Sequence, residues 1–272
     1  MLIEEAALTH WIDHFYGYGS WDARAWFIAN EDTGGDLPEE VAEKINYFFW
    51  KHSKDTSALC DLRESYSHMT FRTDGPKAAV YANHFDFRFG DQAVQSTMWK
   101  NLTSFLYGYR NESLPDFLDY QKNLFAQPAR RSEALLRLYP LPAANHHAWY
   151  YSWLDLPQLS FLKSRELYEQ HVYEKRIQTL LQNIQKYKPE VVVMYGMNNI
   201  NTLKQSVQEY FSETKFKTAK AVKQHIPQHH STRVGNTTLI ITSQLPTLRH
   251  HRVETGFDWE AFGKVIKNSV SS

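Results

Sequence analysis

The sequence predicts an α/β protein, a three-layer α/β/α sandwich in which helices cover both faces of a central, mostly parallel sheet. Short apolar runs of the kind that fill doubly buried strands occur at 25–29, 133–138, 190–195 and 237–242. Amphipathic stretches with helical spacing separate these runs, and this alternation is typical of parallel strands joined by crossover helices. No internal repeat or linker divides the chain, so a single α/β domain over 1–272 is expected.

The N-terminal half is predicted to place one strand among several helices. An N-terminal helix is expected within 1–16, where apolar residues recur at helical spacing, and 25–29 forms the first strand. Pro38 suits the first position of a helix that runs to about His52, with two glutamates in its first turn. Helical insertions are expected at about 84–130.

The C-terminal half is predicted to alternate strands and helices. Pro140 and Pro142 are expected to end the strand that begins at Glu133, because proline donates no backbone hydrogen bond. Ser164 is predicted to cap a long helix that runs through Tyr187. The remaining expected elements are two helices and an edge strand, at 198–211, 258–268 and 215–222 respectively.

Composition excludes several kinds of protein. Cys60 is the single cysteine, so the chain has no internal disulfide and no four-cysteine zinc or iron–sulfur site. No apolar run approaches the length of a membrane span, and the first residues are acidic where a secretion signal is basic. A cytoplasmic protein with no membrane contact, no cofactor and no obligate protein partner is therefore expected.

Polar residues follow the predicted strands at four points. Parallel strands bring their carboxyl ends to one edge of a sheet, so these residues are expected to meet there. The candidate site residues are two adjacent acids, three amides, two glycines and a tyrosine: Asn30, Glu31, Asp32, Gly34, Gly35, Tyr139, Asn198 and Gln244. Paired carboxylates beside glycines that let a ligand approach indicate a chemical site. A tight turn with solvated acids is the alternative.

Charge is balanced overall but unevenly distributed. The formal net charge is zero, yet no acidic residue occurs between Glu213 and Glu254. That interval holds five histidines and seven cations, namely Lys215, Lys217, Lys220, Lys223, Arg233, Arg249 and Arg252. This asymmetry indicates one face suited to binding a polyanion. The predicted nucleic-acid contacts are Lys217, Lys220, Lys223, Arg249, His250, His251 and Arg252. An ordinary basic surface is the alternative.

Four segments, at 26–35, 137–142, 188–196 and 242–246, have the order and the general residue pattern of four motifs of one known family. They resemble the first loop, the base-reading strand, the Lys-Pro strand after a long helix and the C-terminal loop of the uracil-DNA glycosylase superfamily. Four positions depart from that family's pattern. Ala29 stands where the family has a glycine, and Asp32 stands where a proline is usual. Arg137 lies at about the place of the base-reading asparagine, and Gln244 lies where the family has its catalytic histidine.

The resemblance implies hydrolysis of the N-glycosidic bond of a modified or deaminated base in DNA, as in DNA repair. Glu31 would activate a water, with Asp32 as its neighbour. The base would leave the duplex for the pocket, where Tyr139, Phe85 or Trp149 would stack on it. Gln244 would hydrogen-bond to the edge of the base or to a phosphate. One alternative is a catalytically inactive nucleic-acid or nucleotide-binding protein on the same scaffold. The other is a structural or interaction protein that uses only the scaffold.

Adjacent histidines are the remaining candidates for metal ligands. They form three pairs, His146–His147, His229–His230 and His250–His251. Neighbouring side chains tend to point apart, whereas metal ligation needs side chains that converge. No metal site is therefore predicted.

Overall fold

A seven-stranded sheet lies at the centre of the residues that the computed structural model describes, which are 3–33, 38–68, 84–143, 149–154, 156–222, 225–247 and 256–271. The strands are β1 (Gly17–Tyr18), β2 (Ala25–Thr33), β3 (Glu133–Ala143), β4 (Val191–Tyr195), β5 (Lys217–Ala219), β6 (His229–Val234) and β7 (Thr237–Ile241). The predicted α/β class is confirmed.

Helices make up most of the remaining structure in these ranges. They are α1 (Glu5–His14), α2 (Pro38–His52), α3 (Leu62–Ser67), α4 (His84–Phe89), α5 (Thr97–Arg110), α6 (Phe117–Asn123), α7 (Arg165–Tyr187), α8 (Ile200–Tyr210) and α9 (Trp259–Ser271). Short 3₁₀ turns lie at Pro128–Arg130, Tyr150–Trp153 and Pro157–Lys163. Within the described parts of the chain, no helix combines the length and apolar character needed to cross a bilayer.

The strands follow the order β1-β3-β2-β4-β7-β6-β5 across the sheet. The four central strands, β3, β2, β4 and β7, are parallel to one another. β1 runs antiparallel to β3, and β6 runs antiparallel to both of its neighbours, so β5 points the same way as the centre. The sheet is therefore mostly parallel, as predicted, and the carboxyl ends of its central strands share one edge.

Helices pack on both faces of this sheet. Successive residues of a strand point to opposite faces, and Trp26 and Phe27 of β2 show where each face leads. The Trp26 ring lies 6.4 Å from that of Tyr187 in α7, and the Phe27 ring lies 6.1 Å from that of Phe105 in α5. Every residue of β4 and β7 is buried. The sheet core is thus enclosed between α7 on one side and α5 on the other.

Helices α5 and α9 contact each other almost backbone to backbone. A Cβ atom added to Gly108 would lie 2.1 Å from the carbonyl oxygen of Glu260, and one added to Gly263 would lie 2.1 Å from that of Phe105. No side chain fits in either gap, so these two glycines permit the close approach. The C-terminal helix is held on the sheet through this contact.

Strand β3 differs from its prediction because it continues through Pro140 and Pro142 to Ala143. The prolines lie beyond the part of β3 that pairs with β1, and the pairing of β3 with β2 shifts register between Glu31 and Thr33. The ladder beside the prolines is therefore irregular, and such a place tolerates residues without an N–H donor. Side chains form hydrogen bonds with the backbone of this segment. Trp11 Nε1 donates to the carbonyl oxygen of Pro140 at 2.9 Å, and the Leu141 amide donates to the Tyr168 hydroxyl at 3.1 Å.

The boundaries of other elements also differ from their predictions. The first helix is Glu5–His14, shorter than the expected 1–16, and the edge strand is only Lys217–Ala219. The insertions expected at about 84–130 comprise α4, α5, α6 and one 3₁₀ turn. β6 was not predicted, because its polar sequence carries no apolar run.

Candidate functional site

A cavity of about 600 Å³ opens at the carboxyl edge of the central strands. It is called the main cavity here, and its walls come from the end of β2, the first turns of α7, the end of β4 and the loops that follow β4 and β7. Its lining residues are Ala29, Asn30, Glu31, Arg165, Glu166, Glu169, Tyr195, Gly196, Asn198, Asn199 and Leu245. Four separate parts of the chain therefore meet at the edge where parallel sheets usually bind their ligands.

The pairing of the central strands produces this arrangement. Ala29 of β2 lies beside Tyr195, the last residue of β4, so β4 leaves the sheet at the point where β2 continues beside β3. Gly196 then turns with a φ of 67°, a conformation that favours glycine. Its amide donates to the carbonyl oxygen of Gln244 at 3.1 Å, which ties the loop after β4 to the loop after β7. This contact places Leu245 over the cavity.

The most polar contact in the main cavity joins Glu31 to Arg165. Arg165 Nη1 donates to a carboxylate oxygen of Glu31 in an ion pair between residues 134 positions apart in sequence. The Arg165 side chain is 9% exposed and that of Glu31 is 23% exposed. The guanidinium also lies 5.1 Å from the centre of the Trp149 ring. The carboxylate is thus held in one orientation while part of it still faces the cavity.

Local structure explains why Arg165 reaches this position. The Ser164 side chain accepts a hydrogen bond from the Leu167 amide at 3.2 Å, as predicted for the N-cap of the long helix. Arg165 is therefore the first residue of α7, and Glu166 and Glu169 follow in its first two turns. The first two turns of α7 therefore supply one cation and two carboxylates to the cavity wall.

Amide side chains supply hydrogen-bonding capacity elsewhere in the lining. Asn30, Asn198 and Asn199 each carry a carbonyl acceptor and an NH₂ donor. Tyr195 is 1% exposed, and its hydroxyl donates to Met98 Sδ at 3.8 Å. The cavity therefore combines amides, a fixed carboxylate and the apolar surfaces of Ala29 and Leu245, a mixture suited to a flat, partly polar molecule.

A second cavity of about 430 Å³ adjoins the first and contains Tyr139. The two cavities share Glu166, Glu169 and Asn199. Burial, followed by the charge of Glu169, raises the pKa of Tyr139, so the phenol stays protonated at neutral pH. Tyr139 thus lies next to the main cavity and does not line it.

The structure brings together three of the predicted site residues, Asn30, Glu31 and Asn198. Gln244 does not line the main cavity, and its Nε2 donates at 3.1 Å to the carbonyl oxygen of its neighbour Leu245, which does. The backbone of Asp32 belongs to β2, but its side chain is outside the described part of the structure. Also outside the described residues are Gly34, Gly35, Lys223, Arg249, His250, His251 and Arg252.

Lys217 and Lys220 lie at the far edge of the sheet. Lys217 begins β5, the outermost strand, which is separated from β4 by β7 and β6. Three strand spacings correspond to about 14 Å. These lysines therefore do not reach the main cavity, and their role as nucleic-acid contacts stays a prediction.

Several lining residues were not found from the sequence. Arg165, Glu166, Glu169, Tyr195 and Leu245 all line the main cavity. The Ser164 cap places the first three at the start of a helix, but no local pattern shows that this helix begins beside Glu31. Arg137, near the place of a base-reading residue, is buried and donates to the carbonyl oxygen of Leu136 at 2.9 Å.

A scan against protein-family models and a search of curated proteins found no match for this chain.

Proposed function

We propose that the main cavity receives a nucleobase of a nucleic acid and that the protein is a divergent member of the uracil-DNA glycosylase superfamily, which hydrolyses an N-glycosidic bond. The observation that carries the proposal is the partly exposed carboxylate of Glu31, fixed by Arg165 at the carboxyl edge of a parallel sheet. Asparagine side chains line the same cavity, and amides pair well with the edge of a base.

The size of the cavity supports this assignment. Small-molecule sites occupy about 300–1,000 Å³, and the main cavity measures about 600 Å³. A base inside a duplex cannot enter such a cavity, so it must first be extruded from the stack. Asn30 and Asn198 would then hydrogen-bond to its edge, while Leu245 covers its face.

The chemistry proposed for Glu31 is general-base catalysis with electrostatic assistance. Its carboxylate accepts a proton from a water whose oxygen bonds to the C1′ atom of the sugar. The bond from C1′ to the base breaks, and its electron pair leaves with the base. The sugar passes through an oxocarbenium-like state, which a nearby carboxylate stabilises. Arg165 orients the carboxylate for both tasks.

A binding protein without catalysis is the second candidate, and two observations favour it. Arg165 already pairs with one oxygen of the Glu31 carboxylate, which leaves less of that carboxylate free to accept a proton from a water. Among the described lining residues there is no histidine, and the Gln244 amide is engaged with its own neighbour. Such a protein would hold the base without breaking its bond.

Base release from synthetic DNA separates the two candidates. We expect oligonucleotides that contain uracil, hypoxanthine or xanthine to acquire alkali-labile abasic sites, and Glu31→Gln to lower that rate at least about a hundredfold. Glu64→Gln, which removes the carboxylate of an exposed ion pair with Lys51, is the matched control. Salt-sensitive retention of DNA without any product would favour the binding protein.

A further inference from the structure

Trp153 has the most exposed large apolar side chain among the described residues, with 85% of its surface accessible. Five other tryptophans, Trp11, Trp21, Trp26, Trp99 and Trp259, are buried in the core. A single exposed apolar residue is ordinary in itself. Trp153 differs because an anchored segment holds it beside a cavity.

The segment that carries Trp153 is anchored by two aromatic neighbours, the buried Tyr151 and the partly buried Trp149. The hydroxyl of Tyr151, which is fully buried, donates to the carbonyl oxygen of Pro142 at 2.8 Å. Trp149 Nε1 donates to the carbonyl oxygen of Leu162 at 2.8 Å. The 3₁₀ turn Tyr150–Trp153 contains Tyr151 and ends at Trp153, whose indole is exposed. Little ordering is therefore needed when a ligand stacks on it.

A cavity of about 520 Å³ lies against this indole and is called the Trp153 cavity here. Apolar side chains make up much of its lining, including Leu154, Leu156, Leu159 and Leu162. Lys163 is exposed and supplies a positive charge to the same lining. An aromatic platform and a nearby cation together suit a base with its phosphate.

The Trp153 cavity and the main cavity are neighbours. Lys163 lines the first and Arg165 lines the second, and two residues of chain span at most about 7 Å. Trp149 joins the two walls, because its ring lies over the Arg165 guanidinium while its nitrogen hydrogen-bonds to Leu162. The walls of the two cavities are therefore close enough for one nucleic-acid strand to contact both.

We propose that Trp153 and its cavity bind a second base of the same single-stranded nucleic acid, stacked on the indole, with its phosphate beside Lys163. The proposal rests on the proposed function for the identity of the partner, but it requires no catalysis. Stacking on an aromatic side chain tolerates any base, so this site would add affinity without sequence preference.

Fluorescence titration with an octamer of deoxythymidine tests the proposal. We expect quenching of wild-type fluorescence, loss of most of that quenching in Trp153→Ala and binding weakened about tenfold. Trp153→Phe should restore most of the affinity. Trp50→Ala is the matched control, because Trp50 is 71% exposed on α2 and should leave quenching and affinity unchanged.

Two further measurements keep this test separate from the test of catalysis. Glu31→Gln should retain the quenching even where base release is lost, and Lys163→Gln should reduce the salt dependence of binding. Equal affinity of wild type and Trp153→Ala, or absence of quenching in wild type, would overturn the proposal. Concentration-dependent self-association that Trp153→Ala abolishes, without quenching by DNA, would assign the indole to a protein contact and would also overturn it.

Discussion

The guanidinium of Arg165 pairs with the carboxylate of Glu31, so the first residue of α7 contacts the end of β2 across the main cavity. The two elements are far apart in sequence and are brought together only by the tertiary fold. The contact also orients the acid on which the proposed chemistry depends. The strength of the pair and the shape of the cavity around it are open to direct measurement.

A double-mutant cycle on Glu31→Gln and Arg165→Gln should give a coupling energy of about 1.5–3 kcal/mol, because both partners are partly withdrawn from water. The free energy of unfolding in urea provides the measurement. The exposed pair of Arg24 and Glu190 is the control, and at most about 1 kcal/mol is expected there. Equal coupling in the two cycles would show that the cavity does not strengthen its ion pair.

Gly196→Ala should reduce ligand binding in the main cavity as well as stability. Its left-handed backbone disfavours a side chain, and the new Cβ would lie 2.6 Å from Leu245 Cδ2. Gly235→Ala is the matched control, because Gly235 also has a positive φ but has no atom within 4 Å of the added Cβ. Both variants should lose about 1–2 kcal/mol of stability. Only Gly196→Ala should weaken binding of an oligonucleotide, and an unchanged affinity would contradict the role given to Leu245.

Gly263→Ala should destabilise the protein by about 2–3 kcal/mol, because the added methyl group would collide with the Phe105 carbonyl oxygen and push α9 from α5. Urea denaturation followed by circular dichroism measures the change. Val265→Ala, on an exposed position of the same helix, should cost less than about 0.5 kcal/mol. Similar losses in both variants would argue against the close contact of the two helices.

Stability should fall as the pH drops below about 6.5, partly through His10. Burial, followed by the charge of His14, lowers the pKa of His10 from its ordinary value of 6.5, and its Nε2 is buried without a hydrogen-bond partner. The unfolded chain therefore binds this proton more readily than the folded chain. The contribution of neutral His10 is complete above pH 6.5 and is lost as the pH falls toward its lowered pKa.

Urea titrations between pH 5 and 8 would measure this dependence, and His10→Phe should flatten it while keeping the contact with Phe48. Burial also lowers the pKa of His52 and His229, so some slope should remain. A variant at the exposed His171 should behave as wild type does. An undiminished slope in His10→Phe would show that His10 does not resist protonation.

The elements found from the sequence are those whose own residues determine them. β4 is a run of apolar residues buried on both faces, and α7 begins at Ser164, whose hydroxyl caps it. β6 was missed because its histidines, serine, threonine and arginine form a strand only through pairing with β7 and β5. The two prolines of β3 were misread because strand interruption depends on where the neighbouring strand ends.

The candidate site could be predicted from the sequence only for the residues at the ends of strands. Glu31 lies near the carboxyl end of β2 and Asn198 follows β4, so the topology of a parallel sheet indicates that they meet. Arg165 follows no strand, and its partner lies 134 positions away in sequence, so no local pattern could reveal the pair. Leu245 reaches the cavity only because the loops after β4 and β7 are hydrogen-bonded to each other.

The central claim is that the main cavity holds an extruded base, and a crystal structure of Glu31→Gln with an oligonucleotide that the wild type processes or retains tests it most directly. The expected result is one base outside the stack and inside the cavity, with its edge within hydrogen-bond distance of Asn30 and Asn198. The contradicting result is a bound oligonucleotide with every base outside the main cavity, at the edge of β5 or elsewhere on the surface.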